Sequence, residues 1–288
     1  ATAINITADL FDQANKYRVA DRIYDALDNV ASGLVRFDNN NLYVSNPGTG
    51  LADEGVQRAI DAAAATGDIV NIEMGTYPTG ANASAKEVTL APGASPGCVT
   101  LAGDMVLTAG DALAIEINGT TPCTQYDQFI VNGTVTLGGA NLALTLGMFT
   151  PTSGNQFTII DGTSPVSGQF AQGSSITVAG TVFSIDYAAG DGFDVVLTAC
   201  GAGTVHNMNT GENFCNIQDA IDDAGSGNII NVDAGTYNEN IIVTKPLTLN
   251  GANSGISCSA GRGAESIING IAGSGSAAVA IESDGVTI

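Results

Sequence analysis

The chain is 288 residues long and 44% hydrophobic, which excludes wholesale disorder and suits two domains or one elongated body. Its 8 Lys+Arg against 29 Asp+Glu leave a formal net charge of -21, a field that repels phosphate backbones and anionic lipid and so excludes nucleic acid as a partner. The 37 glycines follow no Gly-X-Y period, and no apolar run approaches the roughly 20 residues of a membrane-spanning helix.

Residues 1–45 read as an N-terminal segment finishing a preceding unit, with Ile4 and Ile6 on a strand and Ile23, Tyr24 and Leu27 on one helix face. Residues 46–100 then open a pattern that returns later. The stretch 49–77, TGLADEGVQRAIDAAAATGDIVNIEMGTY, matches 210–237, TGENFCNIQDAIDDAGSGNIINVDAGTY, at nearly half of its aligned positions. Each copy predicts a short amphipathic helix, with Val56, Ala59, Ile60 and Ala63 or Ile217, Ala220, Ile221 and Ala224 at helical spacing. Gly67 and Gly225 are expected to stop it. A β run follows, Ile69–Ile72 or Ile229–Val232, ended by Gly-Thr-Tyr.

Residues 101–200 change character. Leu113, Ile115 and Ile117 alternate with small or polar residues, as do Leu142, Leu144 and Leu146, and Phe193, Val195 and Leu197, between Gly-Gly and Asp-Gly turns. This predicts a β-rich module, built either as further coils or as a sandwich. Residues 201–288 restart the repeat, with strands expected at 241–243, 247–249, 267–268 and 286–288. Repetition at this scale indicates an array whose units contact their neighbours.

The cysteines follow the repeat. Cys98 and Cys258 are equivalent, whereas Cys200 and Cys215 have no counterparts, their places being taken by Asn40 and Glu54. Two cysteines gained together predict a Cys200–Cys215 disulfide, which leaves Cys123 for Cys98. The partner of Cys258 would then fall near Ser283 or beyond the chain; unpaired buried thiols are the alternative. Few lysines, an acidic balance and short polar side chains predict an exported, extracellular protein. The sequons at Asn5, Asn82, Asn118 and Asn132 decide nothing, since Asn, Ser and Thr are abundant.

The Gln-x-Ala-Ile-Asp helix, the β run with Gly235-Thr236-Tyr237, and Lys245-Pro246-Leu247-Thr248-Leu249-Asn250-Gly251-Ala252 together resemble the opening of pectin-lyase-like right-handed β-helices. The stretch from Gly110 through Gly192 and Leu197 resembles β modules interleaved in giant autotransporter-like adhesins of bacterial cell surfaces. The resemblance implies an all-β fold, a right-handed parallel β-helix with short capping helices and an interleaved β module. It also implies a structural role, although β-helices equally carry polysaccharide lyases and hydrolases.

Catalytic chemistry is thinly supported. His206 is the one histidine and sits at a module boundary, and Asp222-Asp223 lies on the capping helix, where neighbouring positions point apart. No catalytic residue is therefore assigned. Gly190-Asp191-Gly192-Phe193-Asp194 approaches the nonapeptide calcium repeat, which makes Gly190, Asp191 and Asp194 candidate calcium ligands; the plain reading is an Asp-Gly turn. No cofactor is required. The expected function is a stalk or filament unit of a cell-surface adhesin, partnered by flanking repeats or by copies of itself head-to-tail. Ile4, Ile6, Val286 and Ile288 mark the assembly strands, and a surface polysaccharide is the other candidate partner. The alternative is a polysaccharide-active enzyme or carbohydrate-binding module.

Overall fold

The computed structural model describes residues 16–17, 40–45, 55–93, 96–200, 204–257, 261–271 and 277–288. It is mostly β, with parallel sheets and two seven-residue helices among the described residues. It divides into two units. The first comprises Ala1–Phe149, Phe157–Gln172 and Tyr187–Val196; the second comprises Thr150–Gln156, Gly173–Asp186 and Leu197–Ile288. Ile4 and Ile6, and all but the first residue of the helix expected at 17–27, lie outside the described residues.

In the first unit, β1 (Asn41–Val44) and α1 (Val56–Ala62) precede a chain that visits three sheets in turn. The first circuit is β2 (Thr66–Glu73), β3 (Gly75–Tyr77) and β4 (Ala81–Asn82); the second is β5 (Glu87–Gly93), β6 (Cys98–Leu101) and β7 (Met105–Val106). The third is β8 (Ala112–Ile117), β9 (Gln128–Val131) and β10 (Val135–Thr136), after which come β11 (Asn141–Leu146) and β12 (Gln156–Gly162). Each strand pairs in parallel with its counterpart in the next circuit, giving β1-β2-β5-β8-β11, β3-β6-β9-β12 and β4-β7-β10.

Period-two alternation explains the core. Leu42, Val70, Leu90, Leu113 and Leu142 are consecutive register partners, all with at most 2% exposure. Tyr77, Leu101 and Val131 form a second buried column, and Ala81, Met105 and Val135 a third. Each side chain sits on its own kind, and each such burial is worth roughly 1.5–3 kcal/mol for the larger residues. Where the chain enters the third sheet, glycines recur once per circuit. A Cβ on Gly103 would lie 2.7 Å from the nitrogen of Gly80, and one on Gly133 would lie 2.6 Å from the carbonyl carbon of Gly103. The backbones there approach too closely for any side chain.

The sheets run unbroken past residue 100, where β6 lies, so residues 101–162 continue the circuits, one of the two builds expected of that stretch. Two expectations change. The helices end at Ala62 and Asp223, short of Gly67 and Gly225. Gly67 (φ 84°) instead marks a register shift within β2.

In the second unit, β13 (Ser175–Val178) and β14 (Thr181–Ala189) form an antiparallel hairpin through Ala179 and Gly180, both at positive φ as a two-residue hairpin turn requires. β14 and β15 (Asp194–Ala199) each carry residues of both units. The repeat then restarts with β16 (Val205–Asn207), β17 (Asn213–Phe214) and α2 (Ile217–Asp223). β18 (Ile229–Val232), β19 (Gly235–Tyr237) and β20 (Ile241–Val243) complete one circuit. β21 (Thr248–Asn250), β22 (Ser266–Ile268) and β23 (Val279–Ile281) pair with them in parallel as a second. Beyond these, Thr287 makes a single bridge to Thr248, so the strand expected at 286–288 is one bridge long, while β23 had no sequence signal strong enough to predict it.

Candidate functional site: the closed and open edges of the parallel sheets

The two helices do the same work in the two units. Each buries one face, Val56, Ala59 and Ile60 or Ile217, Ala220 and Ile221, at the i, i+3, i+4 spacing. Each sends a glutamine to an edge strand. The Gln57 carboxamide accepts from the nitrogen of Asn82 at 2.7 Å and donates to its carbonyl at 3.1 Å. Gln218 treats Ile242 identically, at 2.7 and 3.3 Å. β4 and β20 are edges, and the amide supplies what a neighbouring strand's peptide would otherwise give. Asp61 and Asp222 accept from the same glutamine nitrogens, at 2.9 and 2.7 Å, and so fix which way each amide faces.

Other contacts also repeat. Lys86 donates to the carbonyl of Ala63, and Lys245 to those of Ala224 and Asp222, placing a cation at each helix C-terminus. The tyrosine of Gly-Thr-Tyr bridges two carbonyls in each copy, Glu73 and Val44 for Tyr77, Asp233 and Thr204 for Tyr237. The copies differ at the helix start, where the Glu239 carboxylate accepts from the nitrogens of Ile217 and Gln218 at 2.9 Å, and Thr79 holds the matching place in the first copy. They differ again in the strand beside the first circuit. Val44 pairs with Ile72 from a parallel β1, and Val205 pairs with the equivalent Val232 from an antiparallel β16.

A third glutamine closes an edge without any helix. Gln172 accepts from the nitrogen of Leu142 and donates to its carbonyl, covering the outer side of β11. Sequence reasoning passed over all three glutamines. The identity of Gln57 and Gln218 across the copies was an available signal, whereas Gln172 carried none.

The remaining predicted residues fall as follows. Disulfides join Cys98 to Cys123 and Cys200 to Cys215, with Cα separations of 4.6 and 5.6 Å. The first ties down the excursion between β8 and β9, where buried Asp127 accepts from the nitrogens of Gly97 and Glu116. Cys258 lies outside the described residues. His206 places Nδ1 2.7 Å from the Asn213 side-chain oxygen and Nε2 3.2 Å from Asp233, so both ring nitrogens are engaged within the sheet. Asp222 faces Gln218, whereas burial and the nearby Glu212 carboxyl raise the pKa of Asp223; the adjacent pair does not converge.

Gly190, Asp191 and Asp194 close the turn between β14 and β15. Asp191 accepts from the nitrogen of Phe193 and Asp194 from that of Gly162, each at 3.2 Å. Burial, with Asp161 and Asp191 nearby, raises the Asp194 pKa. Among the described residues, no group of three or more His, Cys, Asp or Glu is arranged to hold a metal. Val286 packs partly buried on the core of the second unit, and Ile288 is 63% exposed. A cavity of 410 Å³, lined by Leu249, Asn253, Ile256, Arg262, Glu265 and Ile288 among others, opens in this unit.

Over 58 residues the chain is 52% identical to a protein named cell surface glycoprotein from Methanothermus fervidus. The match covers 19% of this chain and 10% of that protein, so the chain spans a tenth of the curated relative it matches. No protein-family model and no solved structure matches the chain. The chain thus has a partial homologue named as a cell-surface protein, two disulfides of the kind kept in oxidising compartments, and no described helix long and apolar enough to cross a membrane.

Proposed function

We propose that this chain is a non-catalytic structural unit of an extracellular, cell-surface protein. On this reading the rotating parallel strands are successive turns of a right-handed β-helix, started by a capping helix and lengthened by stacking further turns. The observation that carries it is the repeated closure of the starting edge, by Gln57 on β4 and Gln218 on β20, opposite inward-facing positions on β22 and β23 that no strand among the described residues covers. A device that closes one edge in two copies suits a protein that grows from the other edge. The partial match to a cell surface glycoprotein and the two disulfides support the location.

The open edge would receive a further turn from a flanking repeat or from another copy. Labelling intact cells with a membrane-impermeant reagent should tag the protein, and sedimentation velocity should show association that rises with concentration. Ile281→Asp, which places a charge on the open edge, should abolish it. A protein protected from the label would overturn the location; a wild-type chain that stays monomeric throughout would overturn the self-stacking.

A further inference from the structure

We propose that Asn132 carries an N-linked glycan, an inference that rests on the exported, cell-surface reading above. Three sequons fall among the described residues, Asn82-Ala83-Ser84, Asn118-Gly119-Thr120 and Asn132-Gly133-Thr134, and all three asparagines are exposed. Their side chains are not equally available. Asn82 uses its oxygen to accept from the nitrogen of Ser84 at 3.0 Å, beside the Gln57 clamp on its own backbone. Asn118 donates Nδ2 to Glu116 at 2.9 Å, and its oxygen lies where any side chain at position 147 would have to go. It is further confined by the loop that the Cys98–Cys123 disulfide closes.

Asn132 is different. Its backbone nitrogen is fixed to the carbonyl of Leu101 at 2.9 Å, and its side chain makes no hydrogen bond to the described residues. The rest of its sequon is held from below, since Asp104 accepts from the backbone nitrogen of Thr134 at 2.7 Å. Gly133 leaves the turn bare of side chain where it passes Gly103. The result is a firmly held corner with a free carboxamide pointing to solvent, where a bulky polar group costs no contact of the folded state.

The donor would be an oligosaccharide activated as a polyprenyl phosphate ester, supplied by an oligosaccharyltransferase-class enzyme. Nδ2 of Asn132 forms a bond to C1 of the reducing sugar, the C1–O bond to phosphate breaks, the amide gives up one proton, and the lipid phosphate leaves with the electron pair. No oxidant or reductant is involved.

The test uses the protein isolated from the surface of its native cells. Cleavage on the amino side of aspartate divides the three sequons among three peptides, 68–103, 111–126 and 127–160. Mass spectrometry should find the saccharide increment on 127–160, with 68–103 and 111–126 at their unmodified masses. Asn132→Gln should remove the increment and leave the unfolding midpoint unchanged. A surface-isolated protein whose 127–160 peptide has its bare mass, or whose glycan sits on either other peptide, would overturn the assignment alone. Recovery of the protein only from the cell interior would overturn both it and the surface reading.

Discussion

Leu101 and Met105 in the first unit correspond to Ile268 and Val279 in the second: each pair follows from the same register, Tyr77 or Tyr237 opposite the first and Ala81 or Ile241 opposite the second. Leu107 and Ile281 stand two residues further on in each. In the first unit all three are at most 1% exposed, because β9 and β10 lie on β6 and β7. In the second, Ile268 and Val279 are half-buried and Ile281 is 54% exposed, and among the described residues no strand pairs with the far side of β22 or β23. The same register position is therefore core or surface according to whether another strand pairs beside it. Stability at such positions comes from the neighbouring strand as much as from the side chain.

The largest expected effect tests that difference directly. Leu101→Ala removes a fully buried side chain from the middle of a column and should cost about 2–5 kcal/mol. Ile268→Ala should cost about 1 kcal/mol or less, because much of its surface already faces water. Denaturant unfolding of both variants measures the pair. Equal losses would break the comparison and mean that the second unit's edge is covered in solution.

The disulfides come next. Replacing Cys98 and Cys123 together by serine should destabilise the first unit by about 3 kcal/mol, and the Cys200–Cys215 pair should do the same for the second. Their sequence separations, 25 and 15 residues, make the first the larger by a few tenths of a kcal/mol on chain entropy alone. Calorimetry under oxidising and reducing conditions would check both the size and the unit affected.

Removing an edge clamp is smaller. Gln57→Ala and Gln218→Ala each give up two hydrogen bonds to an exposed edge strand, which water can partly replace, at about 1–2 kcal/mol. Hydrogen exchange should show faster exchange at Asn82 or Ile242 in the respective variant. An unchanged rate would mean that the glutamines follow the edge and do not protect it.

The copied helix, the β run and Gly-Thr-Tyr were legible because they repeat, and repetition averages out local noise. The cysteines were legible by the same comparison, through what one copy has and the other lacks. The choice between further coils and a sandwich for residues 101–162 was not, because a strand such as Val135–Thr136 is two residues long and its pairing is decided by Met105, thirty positions away. The directions of β1 and β16 were hidden for a related reason: Val44 and Val205 fill the same space, and which way the chain leaves it depends on flanking segments that the copies do not share. Gly67 read as a helix stop because a lone glycine after a helical period has that meaning locally, while its actual use, a bulge in β2, is set by pairing with β5. Gln172 looks like any polar residue in a loop, and only the position of Leu142 gives it a role.

The smallest expected effect concerns pH and is confined to the second unit. His206 has an acceptor at each ring nitrogen, Asn213 and Asp233, so folding favours the imidazolium and raises its pKa, the Asn213 hydrogen bond contributing most and the Asp233 carboxylate adding to it. Its stabilisation is complete below the unfolded value of about 6.5 and is lost as pH rises through the higher folded value. Asp219 and Asp223 are also raised, chiefly by burial, so their folded forms hold protons longer, and stability falls as pH rises from the ordinary carboxylate range through theirs. Glu265, held down to about 2 by Arg262, acts oppositely, its contribution vanishing only as pH falls through that value. The unfolding midpoint of this unit should thus decline in two shallow steps, the lower as pH rises through the raised carboxylates and the upper as it rises through His206. His206→Gln should erase the upper step and leave the lower. The step is small because the imidazole is 30% and Asp233 57% exposed, and water screens the pair. An upper step that survives the substitution would assign it to another group and leave His206 as a spacer between two strands.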